Sequence, residues 1–161
     1  MIYDILVYPF NFHAVGFYRT LFPYSKLQEY GYSVYFHGIN KDKIDLSTVK
    51  FVVVQRFYAD QQLQLFNQLY ELRKKNNLKF KFIYDIDDCI ISTCLPKFND
   101  CRQWFTENTD NNMFNIMSKC DIITTSTENL ADTLCNYFNL DDNKLKVIPN
   151  FISSNWIDYK N

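Results

Sequence analysis

Glycine is nearly missing from this chain, with three in 161 residues. So few glycines limit how many turns can lay backbone directly against a phosphate. An excess of either charge is missing too. Lys and Arg number 17 against 18 Asp and Glu, a net charge of −1, which gives no general electrostatic reason to bind nucleic acid or an anionic membrane. Histidine is limited to His13 and His37. The five cysteines, Cys89, Cys94, Cys101, Cys120 and Cys135, are odd in number and match no zinc spacing, so no metal and no other cofactor is expected. Reduced, mostly buried thiols are the expectation. No apolar run is long enough to span a bilayer and no signal peptide opens the chain, so the expectation is a cytoplasmic protein without a transmembrane segment.

What is abundant points to a folded core. The composition is 47% hydrophobic and 18% aromatic, and 161 residues suffice for one domain without staples. The pattern is organised around KFKFIYDIDDC at 79–89. Phe80, Phe82, Ile83 and Tyr84 read as a buried strand over 79–84 that runs straight into Asp85, Asp87 and Asp88. Carboxylates this crowded raise the pKa of at least one of them. Such a cluster is tolerated at the open carboxyl edge of a parallel sheet, where ligands bind.

Five further strands are expected at 3–8, 33–37, 51–55, 121–125 and 145–148. Helical patterns fall at 14–30, with Pro23 as a kink or break, and at 60–75 and 109–119. Another opens with a capping box of Thr125 and Glu128. Residues 89–108 form a long connection, a candidate lid. Six strands alternating with helices predict a single-domain α/β fold, a doubly wound, Rossmann-like parallel sheet over 1–150. Residues 151–161 form a tail or the start of an interdomain crossover, with Phe151 and Trp156 as anchors.

Several strand ends carry polar residues. Gly16 and Arg19 sit where the first crossover helix begins. There the helix amino end suits a phosphate or sugar hydroxyl, although Gly16 equally permits a tight turn and Arg19 equally pairs with the Asp cluster. Ser126, Thr127 and Glu128 open the helix after strand five, where capping alone also accounts for a hydroxyl and a carboxylate. Asn150 follows Pro149 as a turn residue. His13, in the loop after strand one, is a candidate acid or base, or simply a solvated loop side chain.

Taken in order, Gly16-Phe17-Tyr18-Arg19 with Pro23, YDIDD at 84–88, DIITTSTENLADTL at 121–134 and KVIPNFI at 146–152 resemble the amino-terminal half of GT-B fold glycosyltransferases. The likeness is to the large family-4-like group and its phage and bacterial relatives, and it covers nearly the whole chain. It implies an acceptor-binding lobe that works with a nucleotide-sugar donor lobe on a second domain or subunit, and a sugar or glycan acceptor. This chain alone is then not expected to be active. It further implies that Asp87 and Asp88 point into the cleft to bind acceptor hydroxyls or act as base, and that Asn150 marks the hinge to the donor lobe. The alternatives are a catalytically inactive GT-B-derived binding or structural module, and a phosphatase of the haloacid-dehalogenase type using Asp85 and Asp87. For the same carboxylates, a metal-binding D-x-D and a role in tying down residues 89–108 are two further readings.

Overall fold

A computed structural model describes residues 2–40 and 43–150; Phe151, Trp156 and the rest of 151–161 lie outside the described residues. Six strands form one sheet: β1 (Ile5–Tyr8), β2 (Val34–Phe36), β3 (Phe51–Gln55), β4 (Lys81–Ile86), β5 (Ile122–Thr125) and β6 (Leu145–Val147). Their spatial order is β2-β1-β3-β4-β5-β6 and every neighbouring pair is parallel. The chain therefore steps one way from β1 to β2, then reverses and walks outward from β3. Crossovers of one hand must then place helices on opposite faces, which makes the sheet doubly wound.

The helices are α1 (Ala14–Gly16), α2 (Phe22–Glu29), α3 (Asp60–Lys75), α4 (Glu107–Met117) and α5 (Glu128–Phe138). On one face, Leu21, Tyr24 and Leu27 cover Ile5, Val7, Val34, Phe36 and Val53. On the other, Phe66 of α3, Met113 and Ile116 of α4 and Leu134 of α5 share a larger core with Leu6, Val52, Val54, Phe82, Tyr84 and Ile123. The alternation of Val52 and Val54 against Val53 is the period-two signature of a strand buried on both faces.

Four local expectations are corrected. Pro23 does not break its helix. Between α1 and α2 the chain makes a π segment, Phe17–Leu21, in which the Phe22 N–H reaches back to the Phe17 carbonyl. Pro23, which has no N–H, then falls in the opening turn of α2, where a missing donor costs least. Second, β4 ends at Ile86, so Asp85 lies within the sheet, beside Gln55 of β3 and Thr124 of β5. Third, α5 is capped by Thr127, whose side chain accepts from the Leu130 N–H. Thr125 remains in the sheet, paired with Ile86 and Val147, and so cannot cap. Fourth, Cys94 and Cys101 are exposed, Cys89 and Cys135 half-buried, and Cys120 alone is buried.

The connection before α4, the candidate lid, contains a short 3-10 turn, Asp100–Trp104, and its start is pinned by the buried Asp110 of α4. That carboxylate accepts from the Ser92 backbone N–H at 3.0 Å, the Ser92 hydroxyl at 2.5 Å and the Tyr137 hydroxyl at 3.0 Å. Among the described residues no helix is long and apolar enough to cross a membrane.

Candidate functional site at the carboxyl edge of the sheet

The strand order reverses between β1 and β3, and the carboxyl ends there are where a doubly wound sheet opens a crevice. In this chain Gln55 fills much of that crevice. Its Oε1 accepts from the Phe10 backbone N–H at 2.9 Å and its Nε2 donates to the Val15 carbonyl at 3.2 Å. The Asn11 side chain accepts from the backbone N–H groups of His13 and Gly16, both at 3.1 Å. The Gly16 N–H, an expected anion contact, is thus already engaged. Gly16 is buried because the Asn11 loop lies directly on it, and its own role is close approach. His13 is exposed at the start of α1 and makes no side-chain cap.

Arg19 leaves the π segment pointing into the protein. Its Nε and Nη2 reach Oδ2 and Oδ1 of Asp85 at 3.3 and 2.5 Å, and its Nη1 donates to the Ile148 carbonyl at 2.5 Å and to Asn150 Oδ1 at 3.3 Å. The Thr124 hydroxyl donates to Asp85 Oδ1 at 2.6 Å. Burial pushes the Asp85 carboxyl up, against the downward pull of the Arg19 hydrogen bonds and charge and of Thr124. Of the two roles open to Arg19, the structure places it in the pairing one. Together Arg19, Asp85 and Asn150 clasp the chain where it leaves β6. A cavity of about 270 Å³, walled by Tyr18, Tyr24, Leu27 and Pro149, borders this clasp.

A second cluster lies one strand over. Arg56 directly follows β3 with φ 51°, in the left-handed region that costs a side-chain-bearing residue about 1–3 kcal/mol. Its guanidinium lies 4.9 Å from the centre of the Phe10 ring and donates from Nη1 to Asp88 Oδ2 at 3.1 Å. Asp87 Oδ1 is 3.8 Å from the same nitrogen, beyond hydrogen-bond reach. Asp87 Oδ1 and Arg56 Nε are both buried without a partner. Burial pushes the Asp87 carboxyl up, and repulsion from Asp88 and Asp85 adds to this while Arg56 opposes it. Ser126 donates its hydroxyl to the Asp87 carbonyl at 2.7 Å, so it supports this turn. Glu128 is exposed in the first turn of α5.

Beside Arg56 and Asp88 opens a cavity of about 520 Å³, walled by Phe10, Tyr58, Trp104, Phe105, Ile90 and Leu95. Asp88 and Trp104 are well exposed there, at 58% of the side chain and 62% of the residue respectively. Among the described residues, no group of three or more His, Cys, Asp or Glu side chains is placed to hold a metal ion. The structure thus forms two clusters from the expected residues: Asp85 and Asn150 joined by Arg19, and Asp87, Asp88 and Ser126 around Arg56. His13, Thr127 and Glu128 join neither through any hydrogen bond or ion pair among the described residues. Sequence reasoning missed Arg56, Gln55 and Trp104. For Arg56 the signal was present, a cation closing the doubly buried run FVVVQR.

The Asp87 environment carries a pH prediction. A carboxyl whose folded pKa is raised favours the protonated form in the native state. Its penalty is therefore absent below about pH 4, the unfolded value, and sets in as pH rises toward the folded pKa. Asp87→Asn is expected to be more stable than the parent at pH 7, with the gap closing by about pH 4 in paired denaturant titrations.

Compared with protein-family models and with curated proteins, the chain matches none.

Proposed function

We propose that this protein is the acceptor-binding lobe of a GT-B type glycosyltransferase, working with a nucleotide-sugar donor lobe supplied by a second domain or subunit. The observation that supports this is the aromatic-walled cavity beside Asp88 and Arg56 at the carboxyl edge. Exposed Trp104 and half-buried Tyr58 line it with aromatic surface of the kind that packs on the C–H face of a sugar ring. Asp88 offers an exposed carboxylate to its hydroxyls. In the reaction, the acceptor oxygen would bond to the anomeric carbon of the donor sugar. The nucleoside diphosphate would leave, and Asp88 would take the hydroxyl proton. Asp87 sits behind it as a second negative charge, 3.8 Å from Arg56 Nη1.

The phosphatase reading has less support, because both oxygens of Asp85 are engaged and the residue is buried, which leaves no nucleophile exposed. The inactive binding module stays a specific rival. The full engagement of Arg19 and of the Ser126 hydroxyl favours it, since neither is left to meet a substrate.

Saturation-transfer NMR with neutral mono- and disaccharides tests the acceptor site. Trp104→Ala is expected to weaken the best binder about tenfold while changing stability by less than about 0.5 kcal/mol, as befits an exposed ring. Sugar-nucleotide turnover on adding a donor lobe separates the enzyme from the module. Turnover without any sugar contact at Trp104 would refute the site assignment.

A further inference from the structure

The two arginines of the carboxyl edge differ in what they leave free. Every nitrogen of Arg19 is engaged by protein atoms. The Arg56 side chain, nine-tenths buried, makes one hydrogen bond, from Nη1; its Nε is buried without a partner, and among the described residues no acceptor meets Nη2. The Nε–Nη2 edge carries two parallel N–H groups, the geometry that matches two oxygens of a carboxylate or phosphate. A buried donor without an acceptor is costly. Here it is held in place by a left-handed backbone and by the Phe10 ring at 4.9 Å. The bonded counter-charge, Asp88, is more than half exposed and has no other hydrogen-bond donor among the described residues, so it is free to swing out. The adjoining cavity is large enough for a ring.

We propose that this cavity takes an anionic ring compound, a sugar carrying a phosphate or carboxylate, whose oxyanion docks on the Nε–Nη2 edge of Arg56 while its ring lies against Trp104 and Tyr58. Only the identification of the ring as a sugar rests on the acceptor-lobe reading. Asp88 competes with the ligand's negative charge for Arg56 and so tunes selectivity between charged and neutral rings.

The test follows Trp104 fluorescence in a Trp156→Phe background, titrating glucose 6-phosphate, glucuronate, methyl glucoside and phenyl phosphate. The charged sugars are expected to bind at least about tenfold tighter than methyl glucoside. Asp88→Asn, an exposed change that spares the fold, should tighten both charged sugars about threefold or more without tightening methyl glucoside. Arg56→Lys keeps the charge but loses the fork, and should weaken them about fivefold or more. The phosphate and carboxylate arms show which oxyanion is preferred. Charged sugars binding no tighter than methyl glucoside, weakening by Asp88→Asn, or silence from all four probes each overturns the proposal. Phenyl phosphate binding without any sugar keeps the anion site and refutes the acceptor reading. Methyl glucoside binding as tightly as the charged sugars does the reverse.

Discussion

Replacing Arg19 with alanine is expected to destabilise the fold by about 3–5 kcal/mol, because it strands Asp85 in the interior without its counter-charge. For a chain of this size, that corresponds to a melting temperature lowered by on the order of 10 °C. The loss has three parts. Asp85 keeps only the Thr124 hydroxyl, the Ile148 carbonyl loses its donor, and Asn150 loses its hold. The pair Arg19→Met with Asp85→Leu should recover most of the loss, since replacing both ions with apolar groups of similar volume is close to neutral. A double-mutant cycle by urea denaturation measures the coupling. A single Arg19→Ala variant as stable as the parent would mean that Asp85 is not buried as an ion.

Gly16→Ala is the second large effect, expected at about 2–3 kcal/mol. Gly16 has ordinary helical angles, so the cost is purely steric. A methyl group there would stand 1.8 Å from the Asn11 carbonyl oxygen, which is backbone and can yield only by moving the whole loop. That loop carries Phe10, hydrogen-bonded to Gln55 and forming a wall of the larger cavity. Gly16→Ala should therefore weaken ring binding as well as stability. Substitution at Gly31 offers the contrast. Its φ is +87° with nothing within 4 Å, so Gly31→Asn, which tolerates left-handed backbone, should cost far less and leave binding unchanged. Chemical denaturation and ligand titration on the two variants separate these outcomes.

The architecture was legible because apolar runs such as FVVVQ have the right period and loop lengths leave parallel crossovers as the only connection, although α3 turns Phe66 and Leu69 into the core and leaves Leu72 exposed. Boundaries failed where a polar residue finds a partner within the sheet. Asp85 reads as a strand terminator until Arg19 and Thr124, 66 and 39 positions away, are seen to satisfy it. The choice of cap among Thr125, Ser126 and Thr127 is degenerate by residue type and is decided by the pairing of β5 with both neighbours. The site was half legible. The carboxylates announce themselves by crowding, whereas the free edge of Arg56 and the wall made by Trp104 depend on how residues 89–106 fold back, which no local pattern encodes.

On our proposal, ligands meet this protein at the carboxyl edge of its sheet, beside Arg56 and Asp88. The direct measurement is a ¹H–¹⁵N correlation spectrum of labelled protein titrated with glucuronate and with methyl glucoside. Shifts concentrated at the backbone of Phe10, Arg56, Asp88 and Cys89 and at the Trp104 indole N–H are the predicted result. Shifts confined to the opposite edge, at Lys50, Lys79 and Asp121, or a spectrum that neither compound perturbs, would contradict it.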